Sequence, residues 1–84
     1  MSPEQALRDI KGYTAAGRVK LSWHVLERMK KRNIKRDDIH HVLTTAETCI
    51  EQEDTWKVEG TDLDDDELTV IVALEDGVVV VTAF

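Results

Sequence analysis

The chain of 84 residues predicts an α+β fold of one domain, three N-terminal helices packed on one face of a four-stranded antiparallel sheet. Two observations carry that expectation. Apolar residues recur at helical spacing up to about residue 46 and then at every second position, with β-branched side chains taking over. No repeat, low-complexity run or Pro/Gly/Ser-rich linker interrupts the chain, and its hydrophobic fraction of 42% is that of a globular protein.

Ser2 reads as an N-cap, Pro3 as the first helical residue and Gln5 as the far side of a capping box. Ala6, Leu7, Ile10, Tyr13 and Thr14 fall on one face, and Gly17 can take the left-handed C′ conformation, so the first helix spans about 3 to 16. Arg18 to Leu21 alternates polar and apolar and is read as a short extended lead-in. Ser22 caps the second helix, about 23 to 32, whose apolar stripe is Val25, Leu26 and Met29, with His24, Arg28, Lys31 and Arg32 on an adjoining arc. Asn33 tolerates a left-handed turn and Ile34 can fold back onto it. A third helix, about 36 to 46, packs through Ile39, Val42, Leu43 and Ala46, with Asp37 and Asp38 complementing the dipole in its first turn.

Strands follow. Thr48 to Gln52 and Thr55 to Glu59 form a hairpin through Glu53-Asp54. Leu68 to Leu74 and Val78 to Phe84 form another, with Asp76-Gly77 as a two-residue type I′ loop. That loop sets Leu74 opposite Val79, Val72 opposite Val81 and Val70 opposite Ala83 on the core face. Thr69, Ile71, Ala73, Val80, Thr82 and Phe84 are left for the other face, an apolar surface suited to a homodimer contact or a ligand.

The net charge of −6 conceals an asymmetry: residues 1–42 carry +5 and residues 43–84 carry −11. Between Arg18 and Arg36 eight basic side chains face only Glu27. Such a segment is a nucleic-acid surface or a solvated helical face balanced by an acidic sheet. Arg18, Lys20, Lys31, Lys35 and Arg36 are the candidate phosphate contacts. His24, Arg28 and Arg32, at i, i+4 and i+8, stack about 6 Å apart along one helix face. Imidazole transfers protons near neutral pH and guanidinium matches phosphate oxygens, so the row has the parts that internal cleavage of an RNA phosphodiester requires. The competing reading gives Arg28 and Arg32 acidic partners on the sheet and His24 a bond near the helix start.

Other chemistries find little footing. A single cysteine, Cys49, excludes an internal disulfide and a CxxC site and fits a reducing compartment. His40 and His41 diverge by about 100° on a helix and lack zinc-ligand spacing, and Asp62 to Glu67 lacks the glycine and spacing of a calcium loop, so no metal is expected. Without a phosphate loop or other nucleotide signature, no cofactor is expected. The opening residues lack a secretory pattern and no apolar run reaches the ~18 residues of a membrane span, so a cytoplasmic location without membrane association is expected. Trp23, Trp56 and Tyr13 could stack on bases, but a small domain needs its aromatic residues in the core.

Ser22 to Ile34, then Asp37-Asp38-Ile39, Val58-Glu59-Gly60 and Val81-Thr82-Ala83-Phe84, resemble a bacterial domain-of-unknown-function family. That family carries the pattern Ser-x-His-Ala-x-x-Arg-Met-x-x-Arg-Gly-Ile, and the likeness spans nearly all of 18–84. It departs from the pattern at Val25 for alanine, Asn33 for glycine and Lys35 for a serine or threonine cap, the last costing about 1 kcal/mol. The resemblance implies a fold similar to RelE-like and BrnT-like toxins, RNA as substrate and a cognate antitoxin protein as partner in a type II pair. It makes His24, Arg28 and Arg32 the motif residues and Gly60 and Thr82 supporting positions. A non-catalytic interaction module is the alternative function.

Overall fold

The computed structural model describes residues 1–84. Three helices, α1 (Pro3–Ala15), α2 (Trp23–Arg32) and α3 (Arg36–Thr45), precede all but one of the strands, which are β1 (Val19–Leu21), β2 (Cys49–Gln52), β3 (Thr55–Thr61), β4 (Glu67–Leu74) and β5 (Val78–Ala83). The α+β class is as expected, but the sheet is not four-stranded and antiparallel. It has five strands in the order β1-β5-β4-β3-β2, and β1 runs parallel to β5, pairing Val19, Lys20 and Leu21 with Val78, Val79 and Val80. The short lead-in before α2 is that fifth strand. Its alternation marks it as extended, but nothing local joins it to the sheet, because its partner lies 59 positions away. A parallel neighbour cannot be reached by a tight turn, so the chain crosses through α2, α3 and the β2-β3-β4 meander before returning as β5.

The β4–β5 hairpin also departs from expectation. Its loop is three residues long, Leu74 pairing with Val78, Ala73 with Val79 and Val72 with Val80. Asp76 at φ 57° and Gly77 at φ 142° make that turn, and an alanine Cβ at Gly77 would stand 3.0 Å from the Arg18 carbonyl oxygen. A one-residue slip exchanges the two faces of a strand. The protein corrects it with a bulge at Val81, after which Thr82 pairs with Ile71 and Ala83 with Val70 as the sequence predicts. Val78 and Val80 therefore join the core, Val80 contrary to its expected place on the outer face, while Val79 and Val81 are half-buried.

α1 and α3 pack on each other and on the core face of the sheet, around Ile10, Ile39, Val42, Leu43, Val58, Val70 and Val72. Gly60 permits the approach of α3, since a Cβ there would lie 3.3 Å from a Val42 methyl. α2 packs chiefly on β5, inserting Val25 into the same core. No helix is long and apolar enough to cross a membrane.

Candidate functional site

α2 carries the row His24, Arg28 and Arg32, and it packs on β5, which carries Thr82. Ser22 fixes their junction. Its hydroxyl oxygen accepts from the Val25 N–H at 3.1 Å, capping α2, while the same hydroxyl donates to the carbonyl of the bulge residue Val81 at 2.8 Å. Its backbone N–H donates to the Val80 carbonyl at 3.0 Å. Helix start, sheet edge and bulge are thus held by one serine, which the sequence identified only as a cap. At the far end Asn33 takes φ 55°, ψ 40°, and Ile34 N–H closes on the Met29 carbonyl at 2.9 Å, so the asparagine ends the helix in the left-handed conformation as expected.

With Val25 directed into the core and about 100° between successive residues, Leu26 and Met29 lie on one flank of α2 and His24 and Arg28 on the other. His24 and Arg32 are exposed and Arg28 is half-buried. None of the three has an acidic partner: the sole ion pair of the molecule is Arg18 with Asp76, at 3.0 Å. The structural alternative for the row, neutralisation by the acidic sheet, is therefore absent.

Two buried side-chain polar atoms in the whole fold lack a hydrogen-bond partner, Arg28 Nε and Thr82 Oγ1. Both belong to residues the sequence had singled out, and they stand on the two elements that pack together. Leaving a buried donor unpaired costs about 1–3 kcal/mol, more when it is charged. Folded proteins rarely tolerate this, and where they do the group is strained, takes part in binding or catalysis, or is completed by water or an ion.

The other candidate contacts are dispersed. Arg18 is occupied: besides its ion pair it donates to the Asp76 carbonyl at 2.8 Å and lies over the Tyr13 ring at 5.7 Å. Lys20 is exposed on β1, Lys31 on α2, and Lys35 and Arg36 at the start of α3. Lys35 offers α3 no side-chain cap. Instead Asp38, only 8% exposed, accepts from the Lys35 N–H at 3.0 Å through Oδ2 and from the Leu63 N–H at 3.2 Å through Oδ1. It ties the acidic 62–66 loop to the helix start, a role the sequence does not announce because its partner is a backbone amide 25 positions on. Thr82 lies on β5 and Gly60 on β3, facing α3.

Trp56 is buried as expected, but Trp23 is 78% exposed. Its position about 160° around α2 from Val25 would have indicated this. Trp23 borders a groove on the Leu26 flank, away from His24 and Arg28. No group of three or more His, Cys, Asp or Glu side chains is placed to hold a metal ion. Burial pushes the Cys49 thiol above its ordinary pKa, the Glu4 carboxylate adding to the effect, and its Sγ–H donates to the Pro3 carbonyl at 3.3 Å. It is a packed thiol and not an activated one.

A family model described as domain of unknown function (DUF4258) matches residues 21–84, the stretch from β1's last residue through β5 that includes both orphaned groups. The match carries no activity and connects the chain to neither RelE-like nor BrnT-like toxins. No curated protein and no solved structure matches the chain.

Proposed function

The chain belongs to the DUF4258 family, and from that premise we propose that it is an RNA-directed domain of toxin-like type, with the α2–β5 junction as its phosphodiester site. The observation that carries the reading is the pair of unsatisfied buried groups, Arg28 Nε and Thr82 Oγ1. A donor from guanidinium and a hydroxyl able to donate suit an anionic oxygen, and a phosphate offers such oxygens in a geometry arginine matches. His24, one turn before Arg28 on the same flank, takes the proton of the ribose 2′-hydroxyl. The 2′-oxygen then attacks phosphorus, the bond to the 5′-oxygen breaks, and that oxygen takes a proton from water. A 2′,3′-cyclic phosphate and a 5′-hydroxyl result. Arg28 and Arg32 balance the charge that grows on the phosphoryl oxygens. Lys20 and Lys31 supply outer phosphate contacts, while Arg18 stays with Asp76 and Lys35 and Arg36 lie on the opposite flank of α2.

Incubation of purified protein with single-stranded RNA tests this reading. The wild type cuts, His24→Ala binds without cutting, and Thr82→Val loses at least about tenfold in affinity, the equivalent of 1.4 kcal/mol. Affinity falls steeply with salt, because phosphate contacts release counterions. Induced expression of the wild type arrests bacterial growth, and a His24→Ala/Arg28→Ala variant of equal abundance does not; a protective antitoxin partner is the corollary. Protein that neither binds nor cuts RNA at low salt ends the proposal.

A further inference from the structure

The groove on the Leu26 flank of α2 has a volume of about 670 Å³ and is lined by Trp23, Leu26, Met29 and Ile34. On its rim Lys30, Lys35 and Arg36 outnumber Glu27. Such a surface suits an apolar side chain carried on an acidic segment, with the exposed indole as an anchoring aromatic.

The chain presents that segment itself. Leu63 is 59% exposed and stands among Asp62, Asp64, Asp65, Asp66 and Glu67. The loop is preformed: Asp62 Oδ1 accepts from the N–H of Asp64 at 2.8 Å and of Asp66 at 3.0 Å, and the Asp62 N–H donates to the Asp66 carbonyl at 2.8 Å. A projection already fixed by its own hydrogen bonds loses little entropy on docking. Although the chain has 11 basic and 17 acidic residues, its single ion pair is Arg18–Asp76. The rim bases and the loop acids are therefore both unpaired within one molecule.

Their placement selects the occupant. Asp38 holds the Leu63 N–H at the first turn of α3, and Lys35 and Arg36 stand at that same helix start, so loop and groove share one end of the molecule. A two-fold contact requires a patch that carries both halves of the match on one face. We propose that a second copy of this chain occupies the groove, the Leu63 loop of each protomer seated between Trp23 and Ile34 of its partner. The contact leaves the His24 and Arg28 flank free, and it does not rest on the RNA reading.

Sedimentation velocity from micromolar to millimolar protein, at low and high salt, tests it. A dimer that loosens with salt is expected. The variants Lys35→Glu/Arg36→Glu and Asp64→Lys/Asp65→Lys, each shown folded by circular dichroism, should each self-associate at least about tenfold more weakly, a change of 1.4 kcal/mol. Mixed together they should pair again, because one supplies a negative groove to a positive loop while the native loop of the first meets the native groove of the second. A chain that stays monomeric throughout overturns the proposal and leaves the groove to an acidic segment of another protein. So does a dimer indifferent to both variants, which would place the contact on the outer sheet face, or a mixture that fails to pair.

Discussion

Replacing Thr82 by valine should make this protein more stable, against the usual sign for a point substitution. Thr82 Oγ1 is buried and has no hydrogen-bond partner in the fold, so the native state carries the desolvation cost of a hydroxyl without compensation. That cost is about 1–3 kcal/mol. Valine keeps the β-branch that suits β5 and exchanges the hydroxyl for a methyl group, which adds up to ~0.8 kcal/mol of apolar burial. A gain of about 1–3 kcal/mol is expected, a substantial share of the roughly 4–13 kcal/mol that a domain of this length possesses. In thermal unfolding each kcal/mol raises Tm by about 4–8 °C. Urea titration followed by the emission of buried Trp56 should show a higher midpoint at unchanged slope. The same variant should bind RNA worse, so that lost function accompanies gained stability and cannot be ascribed to unfolding. A variant destabilised by 1 kcal/mol or more would refute the reasoning, because the hydroxyl would then have a partner in the native state and would not be held open for a ligand.

Ser22→Ala removes both the α2 cap and the donor to the Val81 carbonyl, and a loss of about 2–3 kcal/mol in urea titration is expected, with Ser22→Thr close to the wild type. Gly77→Ala forces a side chain to φ 142° and to 3.0 Å from the Arg18 carbonyl oxygen, so thermal melting should register a loss of about 1–3 kcal/mol or more. The raised pKa of Cys49 means that the fold favours the neutral thiol. Its contribution is complete below the pKa of an unfolded thiol, about 8.5, and is lost as pH rises through the higher folded value. Unfolding free energy measured across that alkaline range should fall more for the wild type than for Cys49→Ala.

The helices were legible because their signals are local. Ser2, Ser22 and Asn33 stop or start them where the residue type predicts, and Ala6, Ile10, Val25 and Leu43 face the core as their spacing requires. What escaped the sequence is non-local. β1 owes its existence to hydrogen bonds with a strand 59 positions away, and the hairpin register to an extra loop residue cancelled by a bulge at Val81, which no alternation pattern records. The candidate site divides in the same way. The row of His24, Arg28 and Arg32 follows from helical spacing, whereas the exceptional state of Arg28 and Thr82 appears only when their surroundings are known. The basic segment between Arg18 and Arg36 reads as one patch along the chain. In the fold, Arg18 is spent on Asp76, and Lys35 and Arg36 border the groove on the other flank of α2.

The parallel β1–β5 seam also sets an order of assembly. Closing the β4–β5 turn joins residues four positions apart, while registering β1 on β5 closes a loop of nearly sixty, at an entropic cost higher by about 2 kcal/mol. The meander and the α1–α3 layer can form first, and residues 19–22 zip onto β5 last. By the same token they open first: a three-residue edge strand has little to hold it, and Ser22 leaves with it, uncapping α2. Amide exchange at Leu21, Ser22 and Val25 should therefore proceed as one cooperative unit, faster than exchange in β3 and β4, and the His24–Arg28 flank would be assembled and dismantled with that unit.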